Sequence, residues 1–433
     1  MASDRTTSGH TLEVLDRGVR LITAPMPARA SVSVALMFRV GSRYEAPPRA
    51  GISHFLEHMV FKGSAKYPTA LAVAESIEGV GGVVNAATDK ELTMFWAKVA
   101  RDKLPLAVDV LCDLAQHPAL DEGEAEKERE VIVEELRMYL DSPTDHVHSV
   151  FEEMLFPDHP LGVDVAGTEA SVRATTVADM AGHLREHYRA GGLVVAVGGA
   201  VEHDEVTELL APRLAAWDAG TGPGFVPALP APPGPRVRLA GKDTEQANII
   251  LGARCASYLS PDRFAVDLMN TVLGEGMSSR LFQQVRERLG VCYDVHSWTD
   301  KLADTGTAAV YIGTDPGRAV PAVGAVLEEI HRLCVTPVEA GELGRAREFY
   351  KGRLLLYLEG TNSLATWLGG QELLTDRIME VQEVLDAVDA VTAEDVMRVA
   401  HETFAAQPLQ MAVVGPFESE QPLLDLLQSR EAA

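Results

Sequence analysis

The chain has 433 residues, 46% of them apolar, which is enough to bury a sizeable core in two or three domains. Its net charge of −25 at pH 7 and isoelectric point near 4.9 exclude nucleic acid and anionic membranes as expected partners, because their phosphates would be repelled. No apolar run reaches the roughly 18 residues that span a bilayer, and the N-terminal segment lacks the basic and apolar regions of a signal peptide. We therefore expect a cytoplasmic protein.

The first predicted elements are a strand and a helix. Residues 31–40, SVSVALMFRV, alternate as a β-strand does. Residues 51–63, GISHFLEHMVFKG, predict a helix because apolar side chains recur at spacings of three and four, and Gly63 is placed to end it.

This helix carries two histidines four residues apart. Positions i and i+4 share a helix face, so His54 and His58 can present imidazole nitrogens to one metal ion, an arrangement that zinc uses. Glu57 borders the same face and can act on a metal-bound water as a general base. The alternative is structural, since buried histidines are usually hydrogen-bonded core residues, and a third ligand is required to favour the metal.

The best region for a third ligand is the helix expected over residues 124–143, EAEKEREVIVEELRMYLDSP, which ends near Ser142-Pro143. Its periodicity places Glu135 and Glu128 on a mixed stripe where carboxylates can be partly buried, whereas Glu134 lies on the charged stripe. Glu135 is therefore the candidate ligand, and Glu128 can support the site from behind. The alternative is a solvated acidic helix.

A Pro/Gly-rich segment, residues 220–236, is predicted to link two domains, residues 1–219 and 237–433. The second half repeats the order of elements in the first, as expected of a duplicated domain. Helices gathered between strands predict an α+β fold, with two homologous sandwich domains in which helices cover a mixed sheet. Three strand segments of the first half, residues 31–40, 93–99 and 193–206, correspond in this order to residues 246–255, 307–313 and 409–422 of the second half.

Taken together, these segments resemble the inverzincin metallopeptidases, whose H-x-x-E-H motif inverts the order found in thermolysin-like enzymes. That family includes pitrilysin, insulin-degrading enzyme, the mitochondrial processing peptidase and shorter two-domain bacterial members. Besides HFLEH, the resemblance includes GGVVNAATDKELTMFWAKV at 81–99, EREVIVEELRMYLDSP, and GMSSRLFQQVRERLGVCYDV at 276–295. It covers nearly the whole chain.

The resemblance implies that His54, His58 and Glu135 hold one Zn²⁺ per chain and that Glu57 is the general base. Glu128 matches the family's supporting glutamate, seven residues before the third ligand. The segment of the second half equivalent to HFLEH has no such motif, so this half is expected to complete the site rather than to bind metal.

The resemblance also implies residues that bind substrate. Asn85 and Ala86 match an edge strand that pairs with the backbone of an extended peptide. In the second half, Arg286 and Tyr293 match the pair that stabilises the developing oxyanion. From spacing alone, these two residues would be interpreted as an exposed helix charge and a core aromatic.

The function expected is that of a zinc metalloendopeptidase that hydrolyses unfolded peptides, bound in extended form within a closed chamber. Relatives of this length pair two chains, so a homodimer or a heterodimer with a non-catalytic relative is expected, and the negative charge suggests a preference for basic peptides. The rival is a non-catalytic subunit of the same fold, but such relatives typically lose part of the motif. A serine or cysteine hydrolase is disfavoured because G-x-S-x-G is absent from the sequence and its four cysteines lie far apart in no recognisable nucleophile setting.

Overall fold

The computed structural model describes residues 5–7, 9–234 and 236–431. Residues 1–4, 8, 235, 432 and 433 lie outside this description. They include part of the N-terminal segment that is predicted not to be a signal peptide and one residue of the predicted linker. None of the described helices combines the length and the apolar character needed to cross a bilayer. The chain forms two compact units, the first being Met1–Leu136, Val163–Val226 and Leu355–Glu380, the second Arg137–Gly162, Pro227–Leu354 and Val381–Ala433.

The strands fall into two sheets, one in each unit. The strands of the first sheet are β1 (Arg5–Thr7), β2 (His10–Val14), β3 (Arg20–Pro25), β4 (Ser31–Phe38), β5 (Val83–Thr88), β6 (Thr93–Ala100) and β7 (Leu193–Gly199). The strands of the second are β8 (Arg236–Gly241), β9 (Ala247–Arg254), β10 (Asp294–Lys301), β11 (Gly306–Thr314) and β12 (Gln410–Gly415).

The helices are distributed over both halves of the chain. In chain order they are α1 (Ile52–Val60), α2 (Ala70–Glu78), α3 (Leu104–Gln116), α4 (Glu122–Asp141), α5 (Pro143–Leu155), α6 (Glu169–Ala174), α7 (Val177–His187), α8 (His203–Leu210), α9 (Arg263–Leu273), α10 (Ala319–Val335), α11 (Ala340–Tyr357), α12 (Thr361–Thr375), α13 (Val381–Ala390), α14 (Ala393–Ala400) and α15 (Gln421–Glu431). A π-helical segment, Phe282–Arg288, precedes β10.

The first sheet is covered on both faces, which explains why its central strands are almost continuously apolar. Its order is β1-β2-β3-β7-β4-β6-β5, with β3 and β7 parallel and the other pairs antiparallel. On β4, Val34 and Leu36 face a core shared with α1, α3 and α7. The alternate residues Ala35 and Met37 pack against α12.

The second sheet repeats this topology with a smaller set of strands. Its order is β10-β11-β9-β12-β8, with β8 and β12 parallel and the others antiparallel. Strands β8, β12, β9, β11 and β10 thus match β3, β7, β4, β6 and β5 in both order and direction. The predicted α+β class and internal duplication are confirmed, and the strand segments matched by sequence are the ones that match in the sheets.

The two halves of the chain exchange one helix each, which the sequence did not indicate. Helix α5, from the first half of the chain, packs on β9 and β12, whereas α12, from the second half, packs on β4 and β7. Glycine allows the close approach of α12, because a Cβ on Gly198 would lie 2.5 Å from the carbonyl oxygen of Thr361. The domain boundaries 1–219 and 237–433 stay a prediction, because they divide the chain into homologous halves. The compact units differ from these halves by the exchanged helices.

Candidate metal centre

The orientation of α1 follows from its apolar residues. Ile52, Phe55 and Met59 are buried in the core of the first unit, so the opposite face of the helix points away from that core. His54, Glu57 and His58 lie on this other face and are partly exposed. The helix predicted over this segment is therefore observed, with its polar residues available to a ligand.

The structure brings the three predicted metal ligands together. Ligand atoms of His54, His58 and Glu135 all lie within 4.8 Å of one another. The Nε2 atoms of His54 and His58 lie 3.9 and 3.7 Å from the same carboxylate oxygen, Oε2 of Glu135. Donor atoms held tetrahedrally at zinc bond lengths of about 2.0–2.1 Å are about 3.3 Å apart, so two imidazoles and one carboxylate at these separations fit a zinc ion after a small contraction.

A carboxylate behind His58 orients its ring. Nδ1 of His58 lies 3.1 Å from Oε2 of Glu128, a buried residue on α4. A proton on Nδ1 donated to this carboxylate leaves the Nε2 lone pair facing Glu135. Nζ of Lys62 lies 2.5 Å from the other oxygen of Glu128 and balances its charge. Glu128 thus lies within hydrogen-bonding distance of one predicted ligand, and its supporting role stays a prediction.

Glu57 is not one of the three candidate ligands, and its carboxylate has a different environment. Its Oε2 atom is buried and has no hydrogen-bond partner within the described residues. Nδ1 of His54 is likewise buried without a partner among them. Buried polar atoms are normally paired, so these atoms point to a group that binds here, such as a water or a substrate.

The electrostatics favour neutral imidazole at His54. Burial lowers the pKa of His54, and the neighbouring His58 lowers it further, against the opposing effects of Glu135, Glu57 and Asp164. A neutral ring is the form that binds metal, because the ligating nitrogen must be free of a proton.

The predicted substrate-binding residues lie on the edge of the first sheet. Asn85 and Ala86 belong to β5, which pairs with β6 on one side only, opposite Trp96 and Phe95. Asn85 is exposed, and β5 contacts α1. Among the described residues, the strand therefore presents an unpaired backbone edge beside the helix that carries His54 and His58.

Arg286 and Tyr293 belong to the second unit, where they are neighbours. The guanidinium carbon of Arg286 lies 6.0 Å from the centroid of the Tyr293 ring. Tyr293 is 73% exposed, so the interpretation as a core aromatic is wrong. Its N–H donates to the carbonyl of Gly313 at 2.8 Å, which fixes the residue immediately before β10.

A second H-x-x-E-H sequence, HLREH at 183–187, was missed. It lies on α7, and both of its histidines are buried, with 6% of His183 and 7% of His187 exposed. Their ring centroids are 4.3 Å apart, but within the described residues the one group able to hold a metal is that of His54, His58 and Glu135. A search of the sequence for the motif would have found this second copy. The pattern alone would not have shown which of the two copies can bind a metal, because that depends on the surrounding residues.

Two family sequence models match the chain. Residues 20–169 match the model described as insulinase, peptidase family M16, and residues 174–350 match the one described as peptidase M16 inactive domain. All three candidate metal ligands lie within the first match.

Individual proteins agree with this assignment. A protein of Streptomyces coelicolor named an uncharacterized zinc protease is 36% identical, covering 94% of this chain and 90% of that protein. One of Bacillus subtilis with the same description is 33% identical, covering 92% and 96%.

Solved structures share the fold. A protease from Helicobacter pylori superposes with a TM-score of 0.87 at 22% identity, covering 94% of this chain and 99% of that one. A chain of complex III from Candida albicans gives a TM-score of 0.81 at 20% identity, covering 98% and 99%. With two matching family models and relatives above 30% identity over nearly its full length, the chain belongs to peptidase family M16, the insulinase family.

Proposed function

We propose that this protein is a zinc-dependent metalloendopeptidase that hydrolyses unfolded peptides bound in extended form. The observation that carries the proposal is the cluster of His54, His58 and Glu135 within 4.8 Å. Glu57 lies beside it, and one of its carboxylate oxygens is buried with no hydrogen-bond partner among the described residues. Relatives that are more than 30% identical are named zinc proteases.

The proposed chemistry divides between the metal and the chain. When bound, Zn²⁺ supplies Lewis acidity and lowers the pKa of a coordinated water to about 7. Glu57 accepts a proton from the attacking water and delivers it to the nitrogen of the leaving amine. Its freedom from other hydrogen bonds in the described residues supports this role, because a base already engaged elsewhere would be a poorer acceptor.

Substrate is held by main-chain pairing in this proposal. The open edge of β5, with Asn85 and Ala86, adds an extended peptide as a further strand of the first sheet. Backbone pairing makes little demand on side-chain identity, so many sequences can bind, but a folded protein cannot offer an extended strand.

We assign to Arg286 and Tyr293 the stabilisation of the negative charge that develops on the scissile carbonyl oxygen. A guanidinium and a phenol are suitable donors, and removing one such donor typically costs about 2.7–4 kcal/mol of transition-state stabilisation. Support for this assignment comes from the family resemblance and from the proximity of the two side chains within the second unit.

The finer features of the proposal concern assembly and substrate charge. We propose a closed chamber formed by two chains, as a homodimer or as a heterodimer with a non-catalytic relative, because two-domain relatives pair in this way. The net charge of −25 supports a preference for basic peptides. Equal cleavage rates for acidic and basic peptides of the same length at low salt would refute that preference.

The test is cleavage of an unstructured basic peptide of about 25 residues, too short to fold alone. Mass spectrometry compares the purified protein with Glu57→Gln at matched zinc content. Cleavage by the wild type and not by the variant supports the proposal. Cleavage by both at equal rates contradicts the role of Glu57, and silence from both with zinc bound favours a missing partner chain or a non-catalytic subunit.

A further inference from the structure

We infer that Glu45 is a positioning residue for the metal centre, because its carboxylate holds the first turn of the helix that carries His54, Glu57 and His58. The inference rests on the proposed metal role of the two histidines. Glu45 lies outside both the ligand set and the HFLEH motif, and the chemistry proposed above does not use it.

The contacts of Glu45 are directed at the backbone at the start of α1. One carboxylate oxygen accepts the N–H of Gly51 at 2.6 Å, and the other accepts the N–H of Ser53 at 2.8 Å. The N-cap residue Gly51 has no side chain with which to cap the helix. Since the first N–H groups of a helix lack partners within it, Glu45 supplies two of the missing acceptors. Two bonds from one rigid group also restrict the rotation of the first turn about the helix axis.

Ser53, which immediately precedes His54, is held at a second point. Its Oγ lies 3.1 Å from Nε2 of His183, the first histidine of the HLREH sequence on α7. Burial lowers the pKa of His183 to about 3, so its ring is neutral near pH 7. The residue beside the first metal ligand is thus fixed through both its backbone and its side chain.

Glu45 is buried in a position where its negative charge is costly. Only 5% of the residue is exposed, and desolvation raises its pKa to about 7, against the hydrogen bonds from Ser53 and Gly51 and the charge of Lys90. A neutral glutamine of the same shape would offer one acceptor and turn an NH₂ group toward the other backbone N–H. Glu45→Gln therefore changes the anchoring of α1 with almost no change in volume.

The experiment measures Zn²⁺ affinity of the full chain by competition with a chromophoric chelator at pH 8, where Glu45 is mostly ionised. We expect Glu45→Gln to bind zinc about tenfold more weakly, at the lower end of the roughly 10–100-fold cost of disturbing residues behind metal ligands. The absorption spectrum of the Co²⁺-loaded variant should also shift, because the ligand geometry changes. The control Glu78→Gln removes the same charge from an exposed position at the end of α2 and should leave both readouts unchanged.

A purely structural role would lower thermal stability but leave the Zn²⁺ affinity and the Co²⁺ spectrum of the folded variant as in the wild type, and that result overturns the inference. Should Glu45→Gln fail to fold, Glu45→Asp takes its place, since it keeps the charge but is one methylene too short to reach both N–H groups. Unchanged affinity in Glu45→Asp would likewise overturn the inference. A wild-type chain that binds no zinc would instead refute the proposed function.

Discussion

Two helices of the first unit carry the same pattern, His-x-x-Glu-His, but the two pairs of histidines differ in burial, in the approach of a third candidate ligand and in their neighbouring charges. On α1, at 54–58, the histidines lie on the partly exposed face and approach Glu135. On α7, at 183–187, the histidines themselves form part of the buried face, together with Met180. The spacing that places two imidazoles on one helix face is shared, so spacing alone does not make a metal site.

The charges around the two pairs differ as well. Glu128 and Glu135 approach the pair on α1. On α7, burial lowers the pKa of His183 most, followed by the neighbouring His187 and then Arg49, while Glu186 opposes the lowering of the pKa of His187 by burial. Carboxylates stabilise a bound cation, and a guanidinium repels one. His183 of the α7 pair instead lies within hydrogen-bonding distance of Ser53, the residue that precedes His54 on α1.

The largest difference between the two motifs is expected when the glutamate of each is replaced. Glu57→Gln should lower the rate of peptide cleavage by about 10³-fold, within the range of about 10²–10⁴ for a general base. Glu186→Gln should change it less than about twofold, since Glu186 is exposed on α7 and no role in catalysis is assigned to it. Initial rates on one unstructured peptide give both values, and comparable losses would contradict the distinction.

The third ligand is what the second motif lacks. Glu135→Gln should weaken Zn²⁺ binding by at least about 100-fold, because even changes behind the ligands cost about 10–100-fold. Chelator competition measures the affinity. The matched control is Glu134→Gln, the exposed neighbour that the helix periodicity excludes, and it should bind zinc as the wild type does.

A smaller effect is expected behind His58. Glu128→Gln keeps an acceptor for Nδ1 but removes the charge, so zinc affinity should fall by about tenfold. Glu130→Gln, which removes an exposed charge from the same helix, is the control. Equal affinities in the two variants would show that the charge of Glu128 contributes nothing.

The second motif predicts a pH effect on stability rather than on metal binding. The folded-state pKa of His183 is depressed to about 3, so its contribution to stability is complete above the ordinary value of 6.5 and is lost as pH falls below it. Between pH 7.5 and 5.5 the wild type should lose about 1.4 kcal/mol more than His183→Phe. Urea unfolding at the two pH values measures the free energy of unfolding of both proteins. Equal losses of stability in the wild type and in His183→Phe would mean that the pKa of His183 is not lowered in the folded state.

Much of this arrangement was predictable from the sequence because it depends on local periodicity. The apolar spacing of α1 and the mixed stripe of α4 oriented His54, His58 and Glu135 correctly, and the strand segments of the two halves were matched in the right order. The roles of these residues stay predictions until metal and activity are measured.

The rest depended on tertiary contacts that periodicity does not encode. An amphipathic helix does not specify which sheet it will cover, so the exchange of α5 and α12 was not foreseen. The histidines of HLREH are buried, whereas those of HFLEH are partly exposed. Glu45 precedes the helix turn that it caps by several residues. Each of these features becomes visible only when residues distant in sequence are placed side by side.

The most direct test of the central claim is the zinc content of the wild type, His58→Phe and His187→Phe, measured by elemental analysis after zinc loading and gel filtration. Phenylalanine keeps an aromatic ring at each position and removes the ligating nitrogens. The account predicts one zinc per chain in the wild type and in His187→Phe, and none retained by His58→Phe. Loss of zinc in His187→Phe with retention in His58→Phe, or two zinc ions per wild-type chain, would contradict it.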